Sequence, residues 1–167
     1  PVFRQDLNSV IACFEECFQC FGGCPARVVI DGMKACLELA DPYVPRLSRT
    51  FSEYAAFRGF IADPARPYHP KDKPAVEGHV RFARERFFRG ERFLDLEDMK
   101  RRALHWCREI AGRRVHGTTR RIPLEVFEEE EKPALIPLRP ERFVIPTWAR
   151  CTVHPDHHIR FDYALYS

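Results

Sequence analysis

Two carboxylates, Asp31 and Glu77, stand where metal-dependent phosphoryl transfer needs them. Asp31 closes the short apolar run "RVVID", and Glu77 falls just inside a helix opened by "RPYHPKDKPAVE". An acid at the end of a buried strand, followed by an acid on a helix entered through Arg66, Lys71 and Lys73, divides the labour of that chemistry. The carboxylates hold divalent cations and the basic side chains hold phosphates. Arg81 and Arg84 lie four and seven positions beyond Glu77, on the same helix face, and extend the acid into a track for a DNA strand. Two ions ~4 Å apart would activate an attacking water or 3′-hydroxyl and stabilise the leaving oxygen. Such a site usually takes a third carboxylate from a neighbouring strand. On composition alone a plainer alternative stays open: Asp31 as a strand-end turn former and Glu77 as a solvated helix residue.

Other constellations carry weaker chemistry. Arg113, Arg114, His116, Arg120 and Arg121 in "RRVHGTTRR" form a second basic patch, read as a loop whose Arg120 and Arg121 contact phosphate. Cys13, Cys17, Cys20 and Cys24 invite a zinc reading, but at ~1.5 Å rise per residue they spread over about 16 Å of helix, too far for four thiolates to reach one ion. Small residues on a buried face explain them better. Cys151, His154, His157 and His158 have plausible ligand spacing, yet "HPDHH" equally suits a turn with Pro155-Asp156 at its tip. Asp63 is a rival acid without a basic helix at the right offset. His69 and His79 flank the Glu77 region and read as surface histidines.

The elements that must position these groups follow from periodicity. Residues 8–21 repeat apolar side chains at helical spacing and stop at Gly22-Gly23. Residues 27–30 form a short β-branched run, a buried strand whose carboxyl end would present Asp31, where open α/β sheets keep their ligands. A helix capped by Ser48 covers 48–57, and a second strand covers 59–62. A further helix is capped by Asp72, with Pro74 in its first turn and Val76, Val80, Ala83 and Phe87 as its inner stripe. Another covers 94–111. Residues 123–140 read as an acidic, proline-punctuated linker, followed by short strands at 143–145, 149–153 and 159–163.

The 167 residues suffice for one real core, and 45% apolar with 31% charged is an ordinary globular balance that argues against disorder. A net charge of +3 decides nothing, but its distribution does: bases crowd 58–121 and acids gather at 128–131. No stretch approaches the ~20 apolar residues of a membrane span, and no secretory signal opens the chain. Seven cysteines without a disulfide framework fit reduced thiols in a cytosol.

"FGGCPARVVIDGMKA", "ARPYHPKDKPAVEGHV", "RRVHGTTRRIPLEVFEEEE" and the closing "DYALYS", in that order, resemble the transposases of the IstA type, Asp-Asp-Glu recombinases of the retroviral-integrase superfamily. The resemblance implies an α/β fold: the C-terminal part of an RNase H-like integrase catalytic domain lacking its first strands, with trailing helices (1–127), a linker (128–141) and the first strands of a truncated β-barrel (142–167). Asp31 matches the second catalytic Asp and Glu77 the catalytic Glu, both as metal ligands. Gly32 stands where the family commonly has Asn. The first catalytic Asp would lie upstream of Pro1, so this segment, expressed alone, is expected neither to cleave DNA nor to fold stably, with a strand edge and apolar helix faces that lack their partners. Further implications are Mg2+ or Mn2+, two ions in the intact enzyme, and DNA contacts by Arg66, Lys71, Lys73, Arg81, Arg84, Arg120 and Arg121. Expected partners are transposon ends and target DNA, other copies of the transposase and a helper AAA+ ATPase, in the bacterial cytoplasm at the nucleoid. The alternative is a non-catalytic DNA-binding or assembly module, an inactive remnant of such an enzyme.

Overall fold

A computed structural model of the chain describes residues 4–30, 33–39, 41, 45–65 and 74–166, with side chains from 78 onward in the last stretch. Helix α1, Leu7–Phe21, starts where the Asp6 carboxylate accepts the Ser9 N–H at 2.8 Å. It ends at Gly22, whose left-handed φ of 76° lets its N–H reach the Phe18 carbonyl at 2.9 Å. Strand β1, Arg27–Ile30, follows, then a small antiparallel pair, β2 (Leu37–Leu39) and β3 (Arg46–Leu47), in a region whose sequence pattern is weak. Helix α2, Arg49–Arg58, is capped by Ser48 as its sequence predicts, and Gly59 closes it in the left-handed region. Strand β4, Ile61–Pro64, then returns parallel to β1.

The core lies between α1, α2 and one face of the β1–β4 pair. Ile11 and Phe18 from α1 meet Phe51, Tyr54 and Ala55 from α2, with Ile30 and Phe60 beneath. Phe14 joins them, its ring 5.7 to 6.5 Å from those of Phe18, Phe51, Phe60 and Tyr54. The opposite face of the pair carries Arg27, Val29, Ile61 and Asp63, and is bare: Val29 is 53% exposed and Ile61 63%. Parallel strands ordinarily have both faces covered; here, among the described residues, only one face is.

A buried ion pair ties these elements together. Glu15 on α1 accepts from Arg58 Nε at 2.8 Å and from the Tyr54 hydroxyl at 2.7 Å, and Arg58, 6% exposed, also donates to the Arg139 carbonyl at 3.0 Å. Burial pushes the Glu15 carboxyl up, but the Arg58 and Tyr54 bonds outweigh it and hold the group below its ordinary value. Burial and the bond to Glu15 push the Tyr54 phenol upward.

Helix α3 (Pro74–Ala83) continues through a wide turn, Arg84–Phe88, in which the Arg89 N–H reaches back five residues to the Arg84 carbonyl at 3.0 Å. Helix α4 (Leu96–His105) continues likewise to Ala111, the Gly112 N–H reaching the Cys107 carbonyl at 2.8 Å. Of the predicted inner stripe of α3, Phe87 is buried as expected while Val80 is not, and the Val76 side chain lies outside the described residues. Val80 is 53% exposed, and the inward residues are Phe82 and Phe87, five apart, both against Trp106.

The stretch predicted as a linker is helical over its first part: α5 (Pro123–Val126) runs on through Phe127–Glu131 and Lys132–Ala134. Beyond it the chain straps the core. Cys24 and Ile136 exchange two backbone hydrogen bonds of 2.8 Å, and a side chain on Gly23 would meet the Leu135 Cβ at 2.6 Å, so only glycine allows the approach. Phe143 then packs on Tyr54 and Phe57, and Arg49 stacks over Trp148 at 3.4 Å. The strands predicted at 143–145 and 149–153 do not form: these residues join no ladder, and Pro137, Pro140 and Pro146 remove ladder donors nearby. The strand predicted over 159–163 is instead the hairpin β5 (Ile159–Phe161) and β6 (Ala164–Tyr166), turning through Asp162-Tyr163 at positive φ. Among the described residues no barrel closes.

Replacing Arg58 with Ala is expected to destabilise the chain by about 3 kcal/mol or more in a denaturant titration, because the Glu15 carboxylate loses its partner. Tyr54→Phe, which keeps the ring, costs about 1–2 kcal/mol; an Arg58→Ala midpoint equal to that of the parent would contradict the role given to the pair. Burial also pushes the Cys24 and Cys36 thiols from 9.0 up to about 11. Both folded values are raised, so their contribution is complete below pH 9 and is lost as pH rises toward 11. Melting temperature should fall over that window and fall less in Cys36→Ala; equal losses in the two proteins would contradict it.

Candidate functional site

The parallel pairing of β1 with β4 sets the geometry. Ile30 stands opposite Pro64, and the Ala65 N–H donates to the Ile30 carbonyl at 2.9 Å. Each of these two bonded residues is followed by a candidate, Ile30 by Asp31 and Ala65 by Arg66. Asp31, Arg66, Lys71 and Lys73 themselves lie outside the described residues, as do Gly32 and His69. Glu77 lies on α3, one turn in from Pro74, with its carboxylate also outside the description. The described residues end beside Asp31 and Arg66 on the strands, and hold only the backbone of Glu77 on the helix.

Arg81 is exposed and donates to Glu85 at 2.9 Å, one turn further along the helix. Arg84 is exposed and makes no ion pair among the described residues. Asp63, the rival acid, stands on the bare face of β4, 3.7 Å from Arg27. His79 is exposed.

The second basic patch is a closed loop: the His116 N–H donates to the Arg121 carbonyl and the Arg120 N–H to the His116 carbonyl, both at 2.8 Å. Arg120 takes a left-handed φ of 57° and is exposed. Arg121 reaches Glu130 at 2.5 Å and Glu129 at 3.6 Å, so the acidic run occupies its guanidinium. Arg113 pairs with Glu109, and Arg114 stacks over Phe82 at 3.8 Å.

Residues 154–158 form the turn read from "HPDHH", with the His157 N–H on the His154 carbonyl and the His154 N–H on the His158 carbonyl, each 2.9 Å. The buried face expected for the four cysteines holds for Cys24 alone, beyond the end of α1: on the helix Cys13 is half-buried and Cys17 and Cys20 are exposed. Among the described residues no three His, Cys, Asp or Glu side chains gather as a metal site would require.

Two groups escape the sequence reading. Nothing in the spacing of Glu15 and Arg58, 43 residues apart, announces that they meet. Arg86, Arg89 and Arg92 at the turn after α3 are exposed and form no ion pair among the described residues; their density in "RERFFRGERF" was the available signal.

Among the described residues no helix is long and apolar enough to cross a membrane. No family model matches the chain. Curated relatives do. A Mycobacterium tuberculosis protein provisionally named a transposase is 38% identical over 168 residues, covering 100% of this chain and 41% of the relative. A Geobacillus stearothermophilus protein, provisionally named the transposase of insertion sequence element IS5376, is 32% identical over 126 residues, 75% of this chain and 32% of its own length. The transposase of an IS21-like element of Bacteroides fragilis is 27% identical over 126 residues, 75% of this chain and 24% of its own. The chain thus spans well under half the length of these relatives. It is homologous to a part of the insertion-sequence transposases, the IS21-like ones among them, as its motifs imply.

Proposed function

We propose that this chain is part of a DNA transposase: the later portion of an RNase H-like catalytic domain, contributing two of the carboxylates of a metal-dependent strand-cleavage and strand-transfer site. The observation that carries this is the parallel β1–β4 pair, whose carboxyl ends lie side by side, with Asp31 next in sequence after one strand and Arg66 two residues beyond the other. Ligands of open α/β sheets bind at that edge. Asp31 and Glu77 would hold the cations. The donor set consists of carboxylates alone, with neither thiolate nor imidazole in the assignment, and such oxygen donors fit Mg2+ or Mn2+. When bound, two such ions supply charge stabilisation to the attacking and leaving oxygens of phosphoryl transfer.

The chain's own side chains bind and orient the nucleic acid. Arg66, Lys71 and Lys73 would hold phosphates at the entrance to α3, and Arg81 and Arg84 further along it. Arg84 has no counter-ion among the described residues, whereas Arg81 would exchange Glu85 for a phosphate. Arg120 is available in the same sense; Arg121 would have to leave Glu129 and Glu130. Transposon ends and target DNA are the partners, with other transposase copies and a helper AAA+ ATPase completing an assembly at the bacterial nucleoid.

In a full-length transposase carrying this sequence, Asp31→Asn and Glu77→Gln should each reduce manganese-dependent cleavage of a transposon end on the order of 10³-fold or more while leaving end binding in a gel-shift assay near that of the parent. Cleavage undiminished in Asp31→Asn would remove the proposal.

A further inference from the structure

The turn that leaves α3 carries four arginines within nine residues, Arg84, Arg86, Arg89 and Arg92. Like charges so placed repel one another unless carboxylates intervene, and the two nearby acids are engaged elsewhere. Glu85 accepts from Arg81 at 2.9 Å, and Glu91 is held by Arg102. None of the four makes an ion pair among the described residues, and all are exposed.

The turn is also built to hold its shape. Phe87 is 7% exposed, with its ring 5.5 Å from both Phe93 and Trp106 and 4.8 Å from Phe88. Arg102 staples the far side: it bonds Glu91, donates to the Arg92 carbonyl at 2.9 Å and lies over the Phe93 ring at 4.9 Å. The left-handed Gly90, at φ 82°, bends the backbone between these anchors. One arginine is thus used up in fixing the turn while the others are left to solvent. The backbone of the turn is thus held while its guanidinium groups have no counter-ion among the described residues, and a polyanion bound by them would release its condensed cations.

We propose that Arg86, Arg89 and Arg92 form a phosphate-binding surface for duplex DNA, beyond the track of Arg81 and Arg84, holding the duplex where it runs past the catalytic edge. The proposal rests on the reading of the chain as part of a DNA transposase. DNA is favoured over an acidic protein segment by the charge pattern. The obvious acidic segment, which a second copy would also offer, is 128–131, and there Glu128 is engaged by Lys132 and Glu129 and Glu130 by Arg121.

The test is the salt dependence of binding of a full-length transposase carrying this sequence to a fluorescent duplex of arbitrary sequence. The parent is compared with the triple variant Arg86→Gln, Arg89→Gln, Arg92→Gln and with a charge-matched control, Arg4→Gln, Arg46→Gln, Arg160→Gln, circular dichroism confirming equal folding. The slope of log K against log salt should drop by about 2–3 in the first variant and by less than about 0.5 in the control. Equal slopes in parent and first variant overturn this proposal and leave the transposase reading standing, and equal drops in the two variants show only net charge and overturn it too. A parent that binds no DNA defeats the underlying reading as well. A parent that prefers a glutamate polymer to DNA assigns the surface to a protein partner and overturns the proposal.

Discussion

The fold depends on one guanidinium group kept from water. Arg58 stands at the end of α2, and its side chain is 5% exposed. Removing a charge from water is costly unless its donors are answered, and here the answers come from two distant parts of the chain. Glu15 comes from α1 and the Arg139 carbonyl from the segment that follows α5, while the Tyr54 hydroxyl, one turn earlier in α2, donates to the same Glu15 carboxylate. The aromatic core supplies most of the apolar burial but is non-directional. The ion pair fixes which way α1 crosses α2 and where residues 135–148 lie. The strap could not sit there without glycine at position 23, nor be held at its far end without Phe143 and Trp148.

This constraint bears on the candidate site because α2 leads directly into β4. Gly59 turns the chain out of the helix, Phe60 inserts into the core, and β4 is thereby laid alongside β1. The carboxyl ends of the two strands come side by side as a result. The opposite face of the pair shows Val29 and Ile61 to solvent. A two-stranded parallel sheet has little stability of its own; this one is held from one side only. The relatives are longer than this chain, the matched stretch being 41% of one and 24% of another.

Much of this was legible in the sequence, and the failures have physical causes. Residues 27–30 formed the expected strand because β-branched side chains bounded by Pro25 and Gly32 allow little else. Ser48 capped its helix because its hydroxyl can take an orphan N–H. Of the predicted inner stripe of α3, Phe87 is buried but Val80 is not: the wide turn at 84–88 breaks the regular 3.6-residue period, so the residue that shares Phe87's side is Phe82, five positions earlier. The helix at 123–134 was hidden by its prolines, which read as loop signals; Pro123 sits at a helix start, where no donor is missed. Chain at 143–145 and 149–153 that joins no ladder was taken for strands because extended backbone and apolar side chains are common to both. The ion pair of Glu15 with Arg58 had no local signature at all. Of the site, the framing elements were legible, while whether Asp31 and Glu77 converge is a long-range matter that spacing does not decide.

The convergence of those two carboxylates is the central claim, and a crystal structure of a transposase carrying this sequence, grown with Mn2+, tests it most directly. The account predicts an anomalous scattering peak about 2–2.5 Å from oxygens of both Asp31 and Glu77, at the carboxyl edge of β1 and β4. Asp31 and Glu77 on opposite sides of the molecule, or a manganese peak away from both, would contradict it.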